Sequence, residues 1–198
     1  MSHRYTTRFL MALMCVISQA LHSHSIILEV KGSYFLPTNP TFQKIFQAGA
    51  TFGPEATVRL YKQLYGFVSA DFYNKDGAPL GLDSLKKVNV TNIGAGLKYF
   101  IPFYRGSLYA GLGILPTKLQ LKDCAPNSPE SQTTWGCGGI AKVGTYLYLP
   151  AGITLNLFFD YSFETIRWKN ATDPLFAPLP SAHLSGYWFG AAIGLGFN

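Results

Sequence analysis

The chain has 198 residues, of which 48% are hydrophobic and only 13% are charged, against about 25% charged in an ordinary soluble domain. This balance excludes intrinsic disorder. The formal charge of +6 is too small, and the basic residues too scattered, for a nucleic-acid-binding protein. With 20 glycines, 12 tyrosines and 15 phenylalanines, the composition favours strands and turns over packed helices, so we expect an all-β fold.

The first segment has the pattern of an export signal. Arg4 and Arg8 precede the apolar run Phe9–Ile17, and Ser18-Gln19-Ala20 offers the small-x-small motif that signal peptidase recognises. The apolar run is too short to span a bilayer as a helix. We therefore expect residues 1–23 to be a signal peptide and the mature protein to be exported.

The position of cleavage stays open between about residue 20 and residue 25, because Ser23-His24-Ser25 is a second small-x-small motif. A short membrane anchor is the alternative to cleavage. Cys15 suggests a lipoprotein site, but Met14 in front of it is not the small residue that such a site needs. Residues 24–198 are then expected to form one domain.

The mature chain keeps two cysteines, Cys124 and Cys137, on either side of a turn-rich segment that contains Pro126 and Pro129. In an oxidising compartment, two cysteines that flank one loop predict a disulfide that closes it. A metal site is the weaker interpretation, because two thiols without a nearby histidine provide too few ligands.

Alternation of apolar and polar residues, which is typical of half-buried strands, recurs eight times along the mature chain. Val88 and Val90 break the alternation of the fourth run, and we expect a β-bulge there. The eight runs are Ile26–Tyr34, Glu55–Tyr61, Tyr65–Asn74, Val88–Ile101, Ser107–Leu121, Ile140–Leu149, Ile153–Glu164 and Gly186–Asn198.

The connections between these runs alternate between short and long. The short ones are Lys62–Leu64, Pro102–Gly106 and Leu149–Gly152, and the long ones are Leu36–Gly53, Lys75–Lys87, Lys122–Gly136 and Thr165–His183. Short turns at one end and long loops at the other predict an up-and-down barrel with both termini at the short-turn end. The predicted fold is an eight-stranded antiparallel transmembrane β-barrel with short periplasmic turns and long extracellular loops.

The charged residues of the runs share the polar face. Inside a narrow barrel they would pair in a polar lumen, with inward glycines making room for long side chains. On the outside they would form the surface of a secreted, soluble lipocalin-like barrel that carries a small hydrophobic ligand. Aromatic residues near the strand ends favour the membrane arrangement. The predicted lumen charge network consists of Glu29, Lys31, Glu55, Arg59, Asp71, Lys98, Lys142, Asp160 and Glu164.

The last run alternates apolar residues from Phe189 to Phe197 and is followed by Asn198. This ending resembles the C-terminal signal of bacterial outer-membrane barrels. The segments Gly49–Thr57 and Gly94–Tyr99 look like parts of the generic outer-membrane β-barrel domain. The whole mature chain resembles the small eight-stranded barrels of the OmpA, OmpX and OmpW type.

This resemblance implies the outer membrane of a Gram-negative bacterium as the location. It implies a structural, surface-binding or narrow small-solute pore role, without enzymatic activity. The implied partners are outer-membrane lipid and lipopolysaccharide, the barrel-assembly machinery through the strand from Phe189 to Phe197, and an extracellular ligand bound by the loops. No cofactor, metal or nucleic acid is expected.

One short motif suggests an enzyme. His183-Leu184-Ser185 resembles the His-x-Ser of lipid A deacylases, in which a base next to a hydroxyl attacks a lipid ester. However, Glu164 falls on the inward face, and Gly186 replaces the Asn that follows the Ser in that family. We therefore expect no catalytic residue, and interpret this histidine and serine as parts of a loop and a turn.

Overall fold

The computed structural model describes residues 24–40, 43, 47–77, 86–123, 131–167 and 181–198. The predicted signal peptide, residues 1–23, lies outside the described residues. No helix within the described part of the chain is long and apolar enough to cross a membrane.

The described chain is almost entirely β-structure, and all strand pairs are antiparallel. A 3-10 turn, Pro150–Gly152, precedes the strand that begins at Ile153. The strands are β1 Ile26–Pro37, β2 Gly49–Tyr61, β3 Leu64–Gly77, β4 Lys86–Phe103, β5 Gly106–Asp123, β6 Ser131–Tyr148, β7 Ile153–Arg167, β8 Ser181–His183 and β9 Gly186–Phe197.

The sheet closes on itself, because β9 pairs with β1 on one side and with β7 on the other. β8 also pairs with β7, and Thr165↔His183 continues the register of Ser162↔Gly186. β8 and β9 are therefore two parts of one barrel strand, interrupted between them. The predicted eight-stranded up-and-down barrel is confirmed.

The turns that join β2 to β3, β4 to β5 and β6 to β7 are short, as predicted, and the first and last described segments, at Ser25 and Phe197, lie at the same end of the barrel. The Ser25 N–H donates to the Phe197 carbonyl at 2.7 Å, and the Arg59 N–H donates to the Ser25 carbonyl, also at 2.7 Å. We call this the turn end and the opposite end the loop end.

The strands reach further toward the loop end than the alternation predicted. β2 begins at Gly49 rather than Glu55, and β6 begins at Ser131 rather than Ile140. The glycines of β6 hide the alternation of that segment, because a residue without a side chain marks neither face. The connection between β5 and β6 is correspondingly shorter than the predicted loop.

The predicted β-bulge at Val88 and Val90 is wrong. β3 and β4 pair in unbroken register from Leu64↔Tyr99 to Gly77↔Lys86. Both valines are buried inside the barrel. The break in alternation therefore marks a change in the lumen from polar to apolar, and not a change in backbone geometry.

The predicted disulfide is not formed at Cys137, which is an exposed free cysteine, while Cys124 lies outside the described residues. The reason is the length of the strands. Cys137 pairs in register with Pro116, seven positions before Asp123, where β5 ends. At about 3.3 Å per residue this is about 23 Å, whereas bridged cysteines have Cα atoms within about 7 Å.

The two walls of the barrel have opposite character. On β1, Leu28 and Val30 are 50% and 62% exposed on the outside, whereas Glu29 and Lys31 are 4% and 3% exposed inside. A lipocalin-like barrel would place its apolar face inside, so the structure does not support that alternative. Other exposed apolar residues of the outer wall are Leu60, Val68, Ile93, Leu97, Ile101, Leu108, Leu112, Ile114, Val143, Ile193 and Leu195.

Exposed aromatic side chains lie near both ends of this outer wall, as predicted for interfacial girdles. Three other rings near the strand ends turn inward and are buried, namely Phe35, Tyr65 and Tyr73, so the prediction that aromatic residues near the strand ends form girdles is wrong for them. The exposed rings near the loop end are Tyr34, Phe72, Trp135 and Phe163, and those near the turn end are Tyr61, Tyr99, Phe103 and Tyr104.

Candidate functional site in the barrel lumen

The middle of the lumen is organised around one carboxylate. Glu55 on β2 is 2% exposed and pairs with lysines from three other strands. Its Oε2 lies 3.1 Å from the Nζ of Lys31 and 3.3 Å from the Nζ of Lys142, and its Oε1 accepts a hydrogen bond from Lys98. One side chain thus links β1, β2, β4 and β6 across the barrel.

Two aspartates extend this arrangement. The Nζ of Lys31 lies 2.9 Å from Oδ1 of Asp71 on β3, and Lys142 donates to Asp160 on β7. All four side chains are buried. Taking ions out of water is costly, and these contacts offset that cost only while every partner remains in place.

Glu29 joins the cluster through neutral groups. Its Oε1 accepts hydrogen bonds from the Tyr146 hydroxyl at 3.1 Å and from the Asn156 amide at 3.0 Å. The Tyr146 hydroxyl in turn accepts from Lys98 at 3.3 Å. The central charge cluster therefore comprises Glu29, Lys31, Glu55, Asp71, Lys98, Lys142 and Asp160.

Aromatic rings and an inward-facing glycine accommodate the lysines. The Nζ of Lys98 lies 4.5 Å from the ring centre of Tyr109, and that of Lys142 lies 5.3 Å from Phe67, as in cation–π contacts. A Cβ at Gly111 would lie 2.9 Å from Cγ of Lys98. Inward glycine thus provides space for a long cation, as the sequence predicted.

Two members of the predicted network lie outside the central cluster. Arg59 is near the turn end, where its Nε donates to the Tyr65 hydroxyl at 2.8 Å. Glu164 is near the loop end, and its backbone N–H donates to Ser185. Arg59 lies four residues along β2 from Glu55, and Glu164 lies four residues along β7 from Asp160, which is about 13 Å of strand in each case.

Apolar layers lie on both sides of the central charge cluster. They were not predicted, because a ring on the inward face of a strand looks the same in sequence as a ring in an outer girdle. The layer toward the turn end contains Ile27, Tyr65, Phe100, Tyr109, Tyr146, Phe158 and Ala192. The layer toward the loop end contains Phe35, Tyr73, Val88, Val90, Leu119, Leu184 and Trp188.

Sequence reasoning also missed Tyr146 and Asn156 as partners of the charges. Their positions on the inward face of β6 and β7 could have indicated them, because each has the same parity as a charged residue of its strand, Lys142 and Asp160. Which of these residues meet across the lumen depends on barrel register and tilt.

The residues of the enzyme-like motif do not form a catalytic arrangement. The His183 Nδ1 and the Thr165 hydroxyl lie 3.2 Å apart, and the Ser185 hydroxyl accepts the Glu164 N–H at 3.3 Å. The side chain of Glu164 is buried in the lumen, whereas His183 is exposed. The carboxylate therefore lies on the other side of the wall from the histidine that it would have to orient.

No metal centre is found in the described part of the chain. Within residues 24–40, 43, 47–77, 86–123, 131–167 and 181–198, no three His, Cys, Asp or Glu side chains are grouped so that they could hold a metal ion.

Comparison with known proteins supports the architecture. No protein-family model and no curated protein matches the sequence. Among solved structures, the chain is similar to Neisserial surface protein A (NspA), with a TM-score of 0.60 and 15% identity over 87% of this chain and 97% of that chain.

Two further structures show the same likeness. The outer membrane protein OprG from Pseudomonas aeruginosa has a TM-score of 0.62 and 15% identity, over 89% of this chain and 97% of that chain. A major outer membrane protein from Thermus thermophilus has a TM-score of 0.52 and 11% identity, over 88% of this chain and 100% of that chain. The chain therefore has the fold of the small eight-stranded outer-membrane β-barrels.

Proposed function

We propose that the protein is an integral outer-membrane barrel with a closed lumen, which serves as a structural or surface-binding scaffold and not as an enzyme. The observation that carries this proposal is the contrast between the walls: the exposed outer wall is apolar, and the inside is filled by ion pairs and rings. Such a molecule is suited to lipid around it and does not offer a continuous aqueous path through it.

The height of the apolar wall supports insertion in a membrane. On β4, outward apolar residues run from Ile93 to Phe103. Ten residues of strand measure about 33 Å, or about 23 Å when tilted by 45°, and the apolar band of outer-membrane barrels is about 25 Å tall.

The composition of the lumen favours a closed scaffold over a pore. A solute would have to pass two apolar layers and the central charge cluster between them. Side chains fill the interior of an eight-stranded barrel. A role in binding is then left to the loop end. The name of the similar Neisserial surface protein A is consistent with display at a cell surface.

Fractionation and gel mobility test membrane insertion. We expect the protein to remain in the outer-membrane fraction, to require detergent for extraction, and to change its gel mobility on boiling. A protein that is soluble after export, with unchanged mobility, would overturn the proposal.

Conductance tests the closed lumen. Protein that has passed the gel-mobility test is inserted into a planar bilayer at neutral pH, and we expect no stable current steps. The variant Phe100→Ala/Tyr146→Ala removes two rings of the turn-end layer and is expected to raise the conductance. Steady steps from the wild-type protein would show a pore and contradict a closed scaffold.

The acylation state of lipopolysaccharide tests the absence of enzymatic activity. Cells that express the wild-type protein and cells that express Ser185→Ala should contain lipid A of identical mass. Loss of an acyl chain that requires Ser185 would show a lipid A deacylase instead.

A further inference from the structure

A row of polar side chains crosses three neighbouring strands at the loop-end side of the central charge cluster. Asp71 on β3 stands directly opposite Asn92 on β4, and Asn92 stands directly opposite Thr117 on β5. All three face the lumen and are at most 6% exposed. Directly opposite residues of a sheet have Cβ atoms about 5 Å apart, so these three polar side chains adjoin one another.

Glu164 reaches this row from β7. Its side chain lies over Gly138 of β6, where an added Cβ would be 2.6 Å from its Cγ, and Gly136 of the same strand stands opposite Thr117. Because β6 has no side chain at these two positions, the Glu164 carboxyl group lies beside the Thr117 hydroxyl. We call these four residues the oxygen niche: Asp71, Asn92, Thr117 and Glu164.

The oxygen niche contains buried atoms that the chain leaves without a partner. Among the described residues, the Oδ1 of Asn92 has no hydrogen-bond partner, and neither has the hydroxyl of Ser69, which lies over Gly94 beside the niche. Thr117 has one proton, which it can donate to the Leu115 carbonyl at 3.4 Å or to the carboxylate beside it, but not to both. Burying an acceptor without a donor is costly, so these atoms indicate a bound group that the chain does not supply.

The charge of the niche is also uncompensated. The Nζ of Lys31 lies 2.9 Å from Oδ1 and 3.0 Å from Oδ2 of Asp71. Glu164 is 3% exposed and forms no ion pair with any described side chain. Glu29 also lacks an ion pair among the described side chains, but it accepts hydrogen bonds from a hydroxyl and an amide. A buried carboxylate without a counter-ion is costly, so Glu164 indicates a positive charge from outside the chain.

Apolar side chains close the niche on both sides. The next inward residues toward the loop end are Tyr73, Val90 and Leu119, which belong to the loop-end layer. Toward the turn end, Leu115 belongs to a further buried apolar group. Such surroundings exclude bulk water and strengthen the attraction between an ion and the oxygen atoms around it.

We propose that the oxygen niche binds a monovalent alkali cation such as sodium, held by the Glu164 carboxylate, the Asn92 amide oxygen and the Thr117 hydroxyl oxygen. Hard cations take oxygen ligands of these kinds. One carboxylate without a partner matches a single positive charge, and a bound water would supply donors without that charge. Most of these ligands are neutral, so the site differs from a centre of three His, Cys, Asp or Glu side chains, of which the described residues contain none. The cation adds a ligand to the closed lumen and does not depend on membrane insertion.

The dependence of stability on sodium tests this site. The mature chain, folded in detergent and verified by its heat-dependent mobility, is unfolded with urea in mixtures of sodium chloride and choline chloride at constant ionic strength. Choline is too large for an enclosed niche. We expect the folding equilibrium constant to rise about tenfold for each tenfold increase in sodium above the dissociation constant, as for one ligand that binds only the folded state.

Two variants remove ligands of the cation. Glu164→Gln removes the charge at nearly constant shape, and Asn92→Leu removes the amide oxygen at similar size; each should abolish the sodium dependence. In choline chloride, Glu164→Gln should be at least as stable as the wild type, because it removes an uncompensated buried charge. Glu29→Gln is the matched control, since it alters the other lumen carboxylate without an ion pair among the described side chains, and should keep the full sodium dependence.

Direct binding is measured by equilibrium dialysis with radioactive sodium. The wild type and Glu29→Gln should bind sodium, and Glu164→Gln should not. Identical unfolding curves of the wild type in sodium chloride and choline chloride would overturn the proposal. So would stronger stabilisation by calcium than by sodium, which would show a divalent site, or a sodium dependence that Glu29→Gln abolishes and Glu164→Gln retains, which would place the cation in the central charge cluster.

Discussion

The inner and outer walls of this barrel are built by the same strands, and neighbouring residues of one strand belong to opposite environments. Glu29 and Lys31 are buried, whereas Leu28 and Val30 beside them are largely exposed. In a soluble protein this distribution would leave apolar surface in water and charges in the core. The proposed membrane insertion accounts for this distribution, because lipid then removes the apolar wall from water, while ion pairs and rings fill the interior.

The two walls also differ in how much each residue depends on its neighbours. The inner wall is a network in which Glu55 contacts three lysines. In the proposed membrane location, the outer wall contacts fluid lipid, which can adapt to a missing methyl group. Inward substitutions should therefore be more damaging than outward substitutions of similar size.

The largest effect is expected from Glu55→Gln. This substitution removes the carboxylate charge that the buried ammonium groups of Lys31, Lys98 and Lys142 share. Breaking a buried ion pair costs about 3–5 kcal/mol. The free energy of unfolding, measured by urea titration in detergent or lipid, should fall by that amount. The outward control is Val30→Ala. A loss no greater than that of the control would contradict the proposed dependence on the network.

Leu112→Arg is expected to have the next largest effect. Leu112 is 70% exposed at mid-height of the outer wall, where arginine in a bilayer costs about 2–4 kcal/mol. The measurement is unfolding from lipid vesicles, with Leu112→Ala as the control. Unchanged stability of the arginine variant would show that this wall faces water.

Substitution of one inward and one outward glycine compares how much room each wall leaves for an added methyl group. A Cβ at Gly53 would lie 1.7 Å from the Ala70 carbonyl oxygen, whereas a Cβ at Gly32 would have no atom within 4 Å. We expect Gly53→Ala to cost about 1–3 kcal/mol, as overpacking does, and Gly32→Ala to leave the unfolding midpoint nearly unchanged. Equal midpoints for the two variants would contradict this close approach of β2 and β3.

The smallest effect is expected at the turn end, from His24. Burial lowers its pKa below the usual 6.5; a hydrogen bond with Asn198 opposes this shift, and the positive charge of Arg59 adds to it. The unfolded state then binds the proton more readily, so stability should decline as pH falls below about 6.5. The unfolding free energy followed between pH 7.5 and 5 checks this sign.

His24→Gln is the matched variant for that titration, because it keeps a polar side chain of similar size without an imidazole. Its stability should vary less over the same range. An identical pH dependence in both proteins would assign the decline to other groups.

The candidate site was predictable in part. Alternation placed all nine predicted charges on one face, since period two follows from strand geometry alone. It did not show that Glu55 contacts Lys31, Lys98 and Lys142 together, or that Arg59 and Glu164 lie apart from them. Those relations depend on the pairing register of strands distant in sequence.

The sequence by itself determined the number of strands, the end at which the turns and termini lie, and the content of each face, because these depend on local periodicity and connection length. Only the tertiary structure decided which face was outside, that Val88 and Val90 join an apolar layer, and that Cys137 stands opposite Pro116. Closing the sheet fixes register, and register decides which side chains meet across a lumen that no local pattern describes.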